Sequence, residues 1–480
     1  MAGVVVALVL TAGCTSVSSG SGHRATASGT TTSPPAPAPT TSAGQSGPPT
    51  SPAACPSTYA APDPHRPKVT LGFTVTPDLA IVRGTEHVVF TPDKDVTELV
   101  FRLTANTANT VASGNRIDVT SARADHGAGA PTYTRAGAAA ATQGGLLHIP
   151  FAGPVRAGTT VTADLAFTVT LGAESFDRFG RTGDGPGRYA WFGSAQPLLA
   201  WQRGFGWHGE DLAGFTAESA TSEAMDTDLT VTAPAAATVI MSGDPVTPAP
   251  IGGTRTWHSV VATARDVSVA IGHFQLSDTV VGQTRLRIGA FSAAARDALV
   301  PRFTRAITQL SKRFGPFPFP SLSVARVPVS GGGIEYPSSI LMLDGTNLVA
   351  VHETAHQWFY AMVGDSQAAD PWLDEAFATY AEQLVNGDAD PSALQAPGAV
   401  DRSTESYGSD EQDYYFVTYA KGSAALHAAR AAAGPARWDA ALRCYVNANA
   451  WRIADPSDLA RALRGLPAAV AVLRKAGALR

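Results

Sequence analysis

The chain has 480 residues, 44% of them hydrophobic and 16% charged, with a net charge of −5. That length can bury two or three cores, and the composition is that of a globular protein. The mild negative balance excludes nucleic acid as the expected partner, because a phosphate backbone selects basic surfaces.

The N-terminal residues 1–14 end in VVVALVLTAGC, a short apolar run with small residues before Cys14. This reads as a lipoprotein-type signal segment, and it predicts an exported, extracytoplasmic protein anchored to the membrane by lipid at Cys14. Residues 15–62 are Ser, Thr, Gly, Pro and Ala with few charges, a composition that cannot offset the cost of ordering. A flexible tether is expected there, spanning roughly 35–40 Å as a coil. Cys55 and Cys444 remain, either as a bridge from the tether's end to the C-terminal region or as two unpaired thiols.

Residues 63–291 carry short alternating runs such as VTLGFTV, ELVFRL, TVTADLAFTVT and VSVAIGHF, broken by turn residues. Such spacing predicts an antiparallel β-rich domain. An aromatic block, RYAWFGSAQPLLAWQRGFGWHGED, lies inside it and is read as core packing.

Residues 292–480 change period. AARDALVPRFTRAITQLSKRFG predicts a helix that Pro301 kinks or restarts. PFPFPSLSVARVPV predicts an edge strand, with its prolines blocking further pairing, and SSILML predicts another strand. A helix near 346–363, a second over WLDEAFATYAEQLV and a third over VTYAKGSAALHAARAAAG follow, the last ended by a glycine. Two or three short helices fill the remainder. The whole is an α+β multidomain fold, β-rich first and mostly helical after.

The chemistry sits in the helical part. His352 and His356 in VHETAHQW stand four residues apart, on one helix face. Their imidazoles can converge on one metal while Glu353 reaches a water beside it. Glu375 in WLDEAFATY supplies a carboxylate from a second helix. Two histidines, one carboxylate and an open position are the ligand set of a catalytic zinc, which predicts a hydrolase holding one Zn2+ per chain. Earlier, SGGGIEYP places Gly331, Gly332 and Gly333 beside an edge strand, where a substrate backbone can pair in extended form. Glu335 then offers a carboxylate where a peptide's free α-ammonium group would end.

The run GGGIEYP, HETAH with its spacing to WLDEAFATY, and then TYAKG resemble the aminopeptidase N family of zinc metallopeptidases (gluzincins), which includes leukotriene hydrolase. The resemblance is strong over 330–425 and architectural before 290. It implies a saddle-shaped β-domain followed by a thermolysin-like catalytic domain. It implies zinc on His352, His356 and Glu375, Glu353 as general base, Glu335 as amine anchor with Gly331, Gly332 and Gly333 against the substrate backbone, and Tyr419 as oxyanion stabiliser. The expected partners are peptides with a free N-terminus; no protein partner is readable.

Several positions depart from the pattern or extend it. Asp374 stands where the family has asparagine and could orient a histidine N–H. Tyr336 replaces the asparagine after the anchor, Lys421 reads as structural, and Gln196 is a further candidate for the amine. Larger members carry a C-terminal helical domain that closes over the site. This chain reads as a bacterial short form without it, so an open cleft is expected. The alternatives are a same-fold zinc hydrolase acting on internal bonds or a non-peptide substrate, and a non-catalytic surface binding protein.

Overall fold

Alternation of apolar and polar residues dictates the first half of the chain. In Lys68–Val75, Ile81–Phe90 and Val161–Thr170 every second side chain is buried, as a half-buried pleat requires. The computed structural model describes residues 55–173, 178–183, 187–211, 213, 215 and 221–480. Cys14 and the tether up to residue 54 lie outside the described residues.

These strands join a six-stranded sheet in the order 254–264, 225–234, 68–75, 81–90, 161–170, 116–124. Its buried face packs on a four-stranded sheet built around Val96–Arg102 and Leu146–Val155, with Leu71, Phe73, Phe101, Leu147, Phe167 and Trp201 in the shared core. The expectation of a purely antiparallel domain needs correction: Lys68–Val75 runs parallel to Met225–Pro234, in register Leu71 opposite Leu229. The aromatic block is core over its first part, with Trp191 and Trp201 fully buried, while Trp207 is partly buried and Phe205 is exposed.

A third sheet, including Tyr189–Gly193 and Ser268–Gly272, has two apolar faces. One face contributes Phe192 and Val269 to the first core. The other presents Tyr189, Trp191 and Ala270 to Ala325, Val327, Tyr336 and Leu341 of the second half. Ala325, Tyr336 and Leu341 belong to a five-stranded sheet ordered 275–281, 284–290, 321–326, 339–342, 333–336, and Val327 follows its third strand. Its first two strands fall within the segment expected to belong to the β-rich domain, but they pair with the second half: Ile288 lies opposite Val324.

Two readings of this sheet are corrected. Ser321–Arg326 is its central strand, paired in parallel on both sides. The prolines lie just outside those six residues, so every ladder N–H remains, and Pro320 itself accepts from Arg285 N at 2.9 Å. The edge strand is Gly333–Tyr336 instead. Helix Ala293–Phe314, N-capped by Ser292, covers the far face of the sheet with Leu299, Phe303 and Ile307. It continues through Pro301 without a restart. Pro301 is exposed, so the carbonyl it leaves unpaired can take water.

Six further helices, 347–355, 372–386, 422–433, 435–449, 456–462 and 467–475, pack around Trp358, Trp372, Phe377, Trp438 and Tyr445. The expected flexible stretch ends earlier than residue 62. Cys55 is disulfide-bonded to Cys444. Ala60 N donates to Asn447 O at 2.8 Å, Asn447 Nδ2 donates to Pro56 O at 2.7 Å, and Tyr59 Oη donates to Pro316 O at 2.5 Å. Residues 55–62 are therefore a strap fixed to the helical half. No helix among the described residues is long and apolar enough to cross a membrane.

Candidate metal centre

Thr346 opens the first helix by accepting Val349 N on its hydroxyl at 3.3 Å. The α-helix runs Asn347–Ala355 with His356 as its C-cap, shorter than the expected 346–363. Beyond it the chain turns tightly, with Ala361 N donating to His356 O and Tyr360 at φ 112°. His352 and His356 still share one face, and their Nε2 atoms lie 3.1 Å apart.

The second helix starts at Trp372, which puts Glu375 in its first turn. Glu375 Oε2 lies 3.3 Å from His352 Nε2 and 3.4 Å from His356 Nε2. Burial alone would raise the Glu375 carboxyl, but His356 and His352 hold it well below the ordinary range. His356 is pushed well above its usual value despite burial, by Glu335 and Glu375, while burial lowers His352.

The donor set fits a metal ion. His356 Nδ1 donates to Phe359 O at 3.1 Å, which leaves its Nε2 as a lone pair facing the site. Glu375 Oε2 is buried and faces the two imidazole Nε2 atoms. Three ligand atoms thus converge in one buried place, each within 3.4 Å of the others, as they would around a cation.

Glu353 lies on the same helix, 5% exposed, with Oε2 unpartnered among the described residues. Burial pushes its carboxyl well up, outweighing His356. Glu335, on the edge strand, is 3% exposed with Oε1 unpartnered. Glu335, Glu353 and His356 bring their ligand atoms within 4.8 Å of one another. Gly333 makes this approach possible, since a Cβ there would lie 2.5 Å from Glu353 Cγ. Gly331 to Ile334 are partly exposed and form a rim above the buried acids.

Tyr419 enters from a π-helix, Tyr415–Lys421, that continues into the α-helix Gly422–Ala433. Its hydroxyl donates to Glu375 Oε1 at 2.5 Å, and its ring stacks on His352 at 6.0 Å and 7°. Gly422 lets the two helices close, because a Cβ there would meet Ala376 Cβ at 2.5 Å. The sequence gives no sign of the wider π turn; only the glycine after Lys421 hints at a close approach. Lys421 Nζ donates to Ala396 O and Gly398 O, the structural role read for it.

Asp374 does not orient a histidine. It accepts from the backbone N of Glu375 at 2.6 Å and from Gln367 Nε2 at 3.1 Å. The histidine contact belongs to Phe359 O because the turn after His356 brings that carbonyl under the ring. Gln196 is buried with Oε1 unpartnered among the described residues. Sequence reasoning missed Gln357, which holds the edge strand by donating to Tyr336 O at 3.0 Å and accepting from Ser338 N at 3.0 Å. It also missed Arg178, whose Nη1 donates to Tyr336 Oη at 3.4 Å.

No family model matches the chain. Its fold is that of the M1 zinc metallopeptidases. The crystal structure of the Deinococcus radiodurans M1 zinc metallopeptidase matches with TM-score 0.64 and 21% identity, over 86% of this chain and 94% of that one. A two-domain M1 zinc metallopeptidase mutant bound to L-arginine matches with TM-score 0.64 and 21% identity, over 86% and 95%. A Deinococcus radiodurans mutant bound to a Tyr-Ser-Ala substrate matches with TM-score 0.62 and 20% identity, over 86% and 94%. Among curated proteins, Aminopeptidase M1-C of Oryza sativa subsp. japonica is 25% identical over 179 residues, 30% of this chain and 20% of that protein. Aminopeptidase M1 of Arabidopsis thaliana is 25% identical over 183 residues, 31% and 21%. The chain thus spans about a fifth of the length of these curated relatives.

Proposed function

We propose that this chain is a zinc-dependent aminopeptidase of the M1 type, a β-rich domain followed by a thermolysin-like catalytic domain. The observation that carries this reading is the convergence of His352 Nε2, His356 Nε2 and Glu375 Oε2 beside two further buried, unpartnered carboxylates. The solved neighbours that carry L-arginine and Tyr-Ser-Ala support peptides as its substrates.

His352, His356 and Glu375 would hold one zinc ion, which when bound supplies Lewis-acid polarisation of a carbonyl and activation of water. Glu353 acts as general base: Oε2 takes the proton from the attacking water and returns it to the departing amine. Its burial supports this role, because a carboxylate removed from water is a stronger base than a solvated one. Tyr419 Oη, already beside Glu375, donates to the developing oxyanion. Glu335 accepts the substrate's α-ammonium group, and Gly331, Gly332 and Gly333 let the substrate backbone lie along the edge strand.

We extend the reading to location. The Cys55–Cys444 bridge supports an oxidising, extracytoplasmic compartment, and Cys14 is the proposed lipid anchor.

The test is a panel of aminoacyl fluorogenic substrates beside N-acetylated controls, with zinc content measured. Chelation should abolish cleavage and zinc should restore it. Glu353→Gln should lower kcat by about 10²–10⁴-fold with zinc retained, and Glu335→Gln should raise KM for free amines. Equal cleavage of acetylated peptides would remove the amine anchor from the account and leave an endopeptidase.

A further inference from the structure

We propose that the exposed basic face around the Cys55–Cys444 bridge, carrying Lys312, Arg437, Arg443 and Arg464, docks on an anionic phospholipid bilayer. The inference stands apart from the metal centre. It rests on the proposed lipid anchor at Cys14 only for the choice of partner.

Charge is segregated along the chain. The whole sequence carries −5. Residues 435–480 hold eight Arg and Lys against three Asp, a net +5, and helix Ala293–Phe314 holds five against one, a net +4. The fold brings these two segments together. Arg443 Nη2 donates to Lys312 O at 3.0 Å and to Arg313 O at 3.1 Å, which ties helix Pro435–Asn449 to the end of helix Ala293–Phe314. Arg437 Nη2 donates to Gly465 O at 2.9 Å and so lies beside Arg464. At 100° per residue, Arg437 and Arg443 fall on the two margins of one exposed helix face, with Cys444 between them.

Nothing within the fold uses this charge. Lys312, Arg437, Arg443 and Arg464 are all exposed. The acids of both segments are engaged elsewhere: Asp439 with Arg430, Asp458 with Arg452 and Arg461, and Asp297 with Arg296. Asp455 caps its helix by accepting from Ser457 N and Asp458 N. The helix dipole accounts for Lys312 in a last turn, but it disfavours Arg437 in a first turn. An anionic bilayer complements such a face, each Lys or Arg within a Debye length adding to the attraction.

The bridge indicates the partner. It fixes Cys55 to this face, and the 40 residues between Cys14 and Cys55 read as a coil of roughly 35 Å. A lipid at Cys14 would hold the face within that reach of the bilayer, where a weak electrostatic contact becomes effective because it is intramolecular.

The experiment is vesicle sedimentation of the full chain carrying Cys14→Ser, so that no acyl chain contributes. Vesicles of phosphatidylcholine with about one-third phosphatidylglycerol are compared with phosphatidylcholine alone, at low and high salt. The protein should bind the anionic vesicles at low salt, release them at high salt and ignore the neutral ones. Lys312→Glu with Arg464→Glu should weaken binding about 25-fold or more at an unchanged melting temperature, since neither side chain makes a hydrogen bond or ion pair among the described residues. Arg83→Glu with Arg123→Glu, exposed on the six-stranded sheet, should leave binding as it is. Equal binding to neutral vesicles, no loss in the first pair, or an equal loss in the second overturns the proposal. Binding to soluble polyglycerol phosphate without binding to vesicles also overturns it and assigns the face to a phosphate polymer. Failure of the wild type to incorporate labelled palmitate would instead overturn the lipid anchor, which the vesicle assay does not use.

Discussion

A methyl group at Gly333 would lie 2.5 Å from Cγ of Glu353, so Gly333→Ala must push the proposed base sideways. Displacements of this size cost catalysis through lost positioning. The expected result is a fall in kcat of about 10–100-fold, with the melting temperature and zinc content near wild type. Steady-state kinetics beside thermal melting checks it. From the sequence the three glycines read as one substrate-facing run. Gly333's contact with Glu353 depends on how the next helix, Asn347–Ala355, packs against the strand, and no local pattern encodes it. Asp374 was misread for a related reason: its neighbours are fixed by the turn that brings in Gln367. Elsewhere, Glu223 shows burial outweighing an ion pair. It is 8% exposed, 3.5 Å from Arg203 Nε, and burial, outweighing Arg203, lifts its pKa from 4.5 to about 8. The folded state therefore binds this proton more tightly than the unfolded chain. The stabilisation is complete below about 4.5 and is lost as pH rises through about 8. Glu223→Gln should flatten that decline, read as melting temperature from acid to alkaline pH in both proteins.

At the scale of elements, the strap 55–62 is the clearest departure from expectation. Its composition is that of a linker, yet it is ordered through long-range contacts: the bridge to Cys444, Asn447 on both Pro56 and Ala60, and Tyr59 accepting from Trp358 Nε1 at 3.1 Å. Trp358 lies two residues past His356, so the strap braces the turn that fixes a proposed metal ligand. Cys55→Ser should cost about 2–5 kcal/mol of stability, visible as a melting temperature lowered by several degrees. It should also speed zinc loss to a chelator; an unchanged zinc off-rate would confine the strap to a stabilising role. Periodicity made the alternating strands and the long helix legible. The π turn and the early end of the histidine helix were not, because both depend on what packs against them.

Across the whole molecule, Arg265 is the stitch between the halves. Fully buried, it donates to Tyr360 O at 2.8 Å, Ser222 O at 2.7 Å and Arg452 O at 2.7 Å, carbonyls from three distant parts of the chain. Arg265→Leu takes a donor from each of the three and should cost about 3–5 kcal/mol, measured by denaturant or thermal unfolding. The β-rich and helical halves were readable as compositional blocks. How they share a sheet was not: strands 275–281 and 284–290 look like those before them but pair with those after. Alternation tells a strand from a helix; it does not name the partner.

The strand Gly333–Tyr336 carries one further consequence. Gly333 faces the helix of Glu353, while Ile334 and Tyr336 turn to the β-rich half, where the Tyr336 ring occupies the place of any side chain at Gly193. Inserting or deleting a single residue here would swap those two directions, sending Glu335 into an apolar wall and a tyrosine towards the histidines. Over evolutionary time the length of this segment is therefore as constrained as its residues.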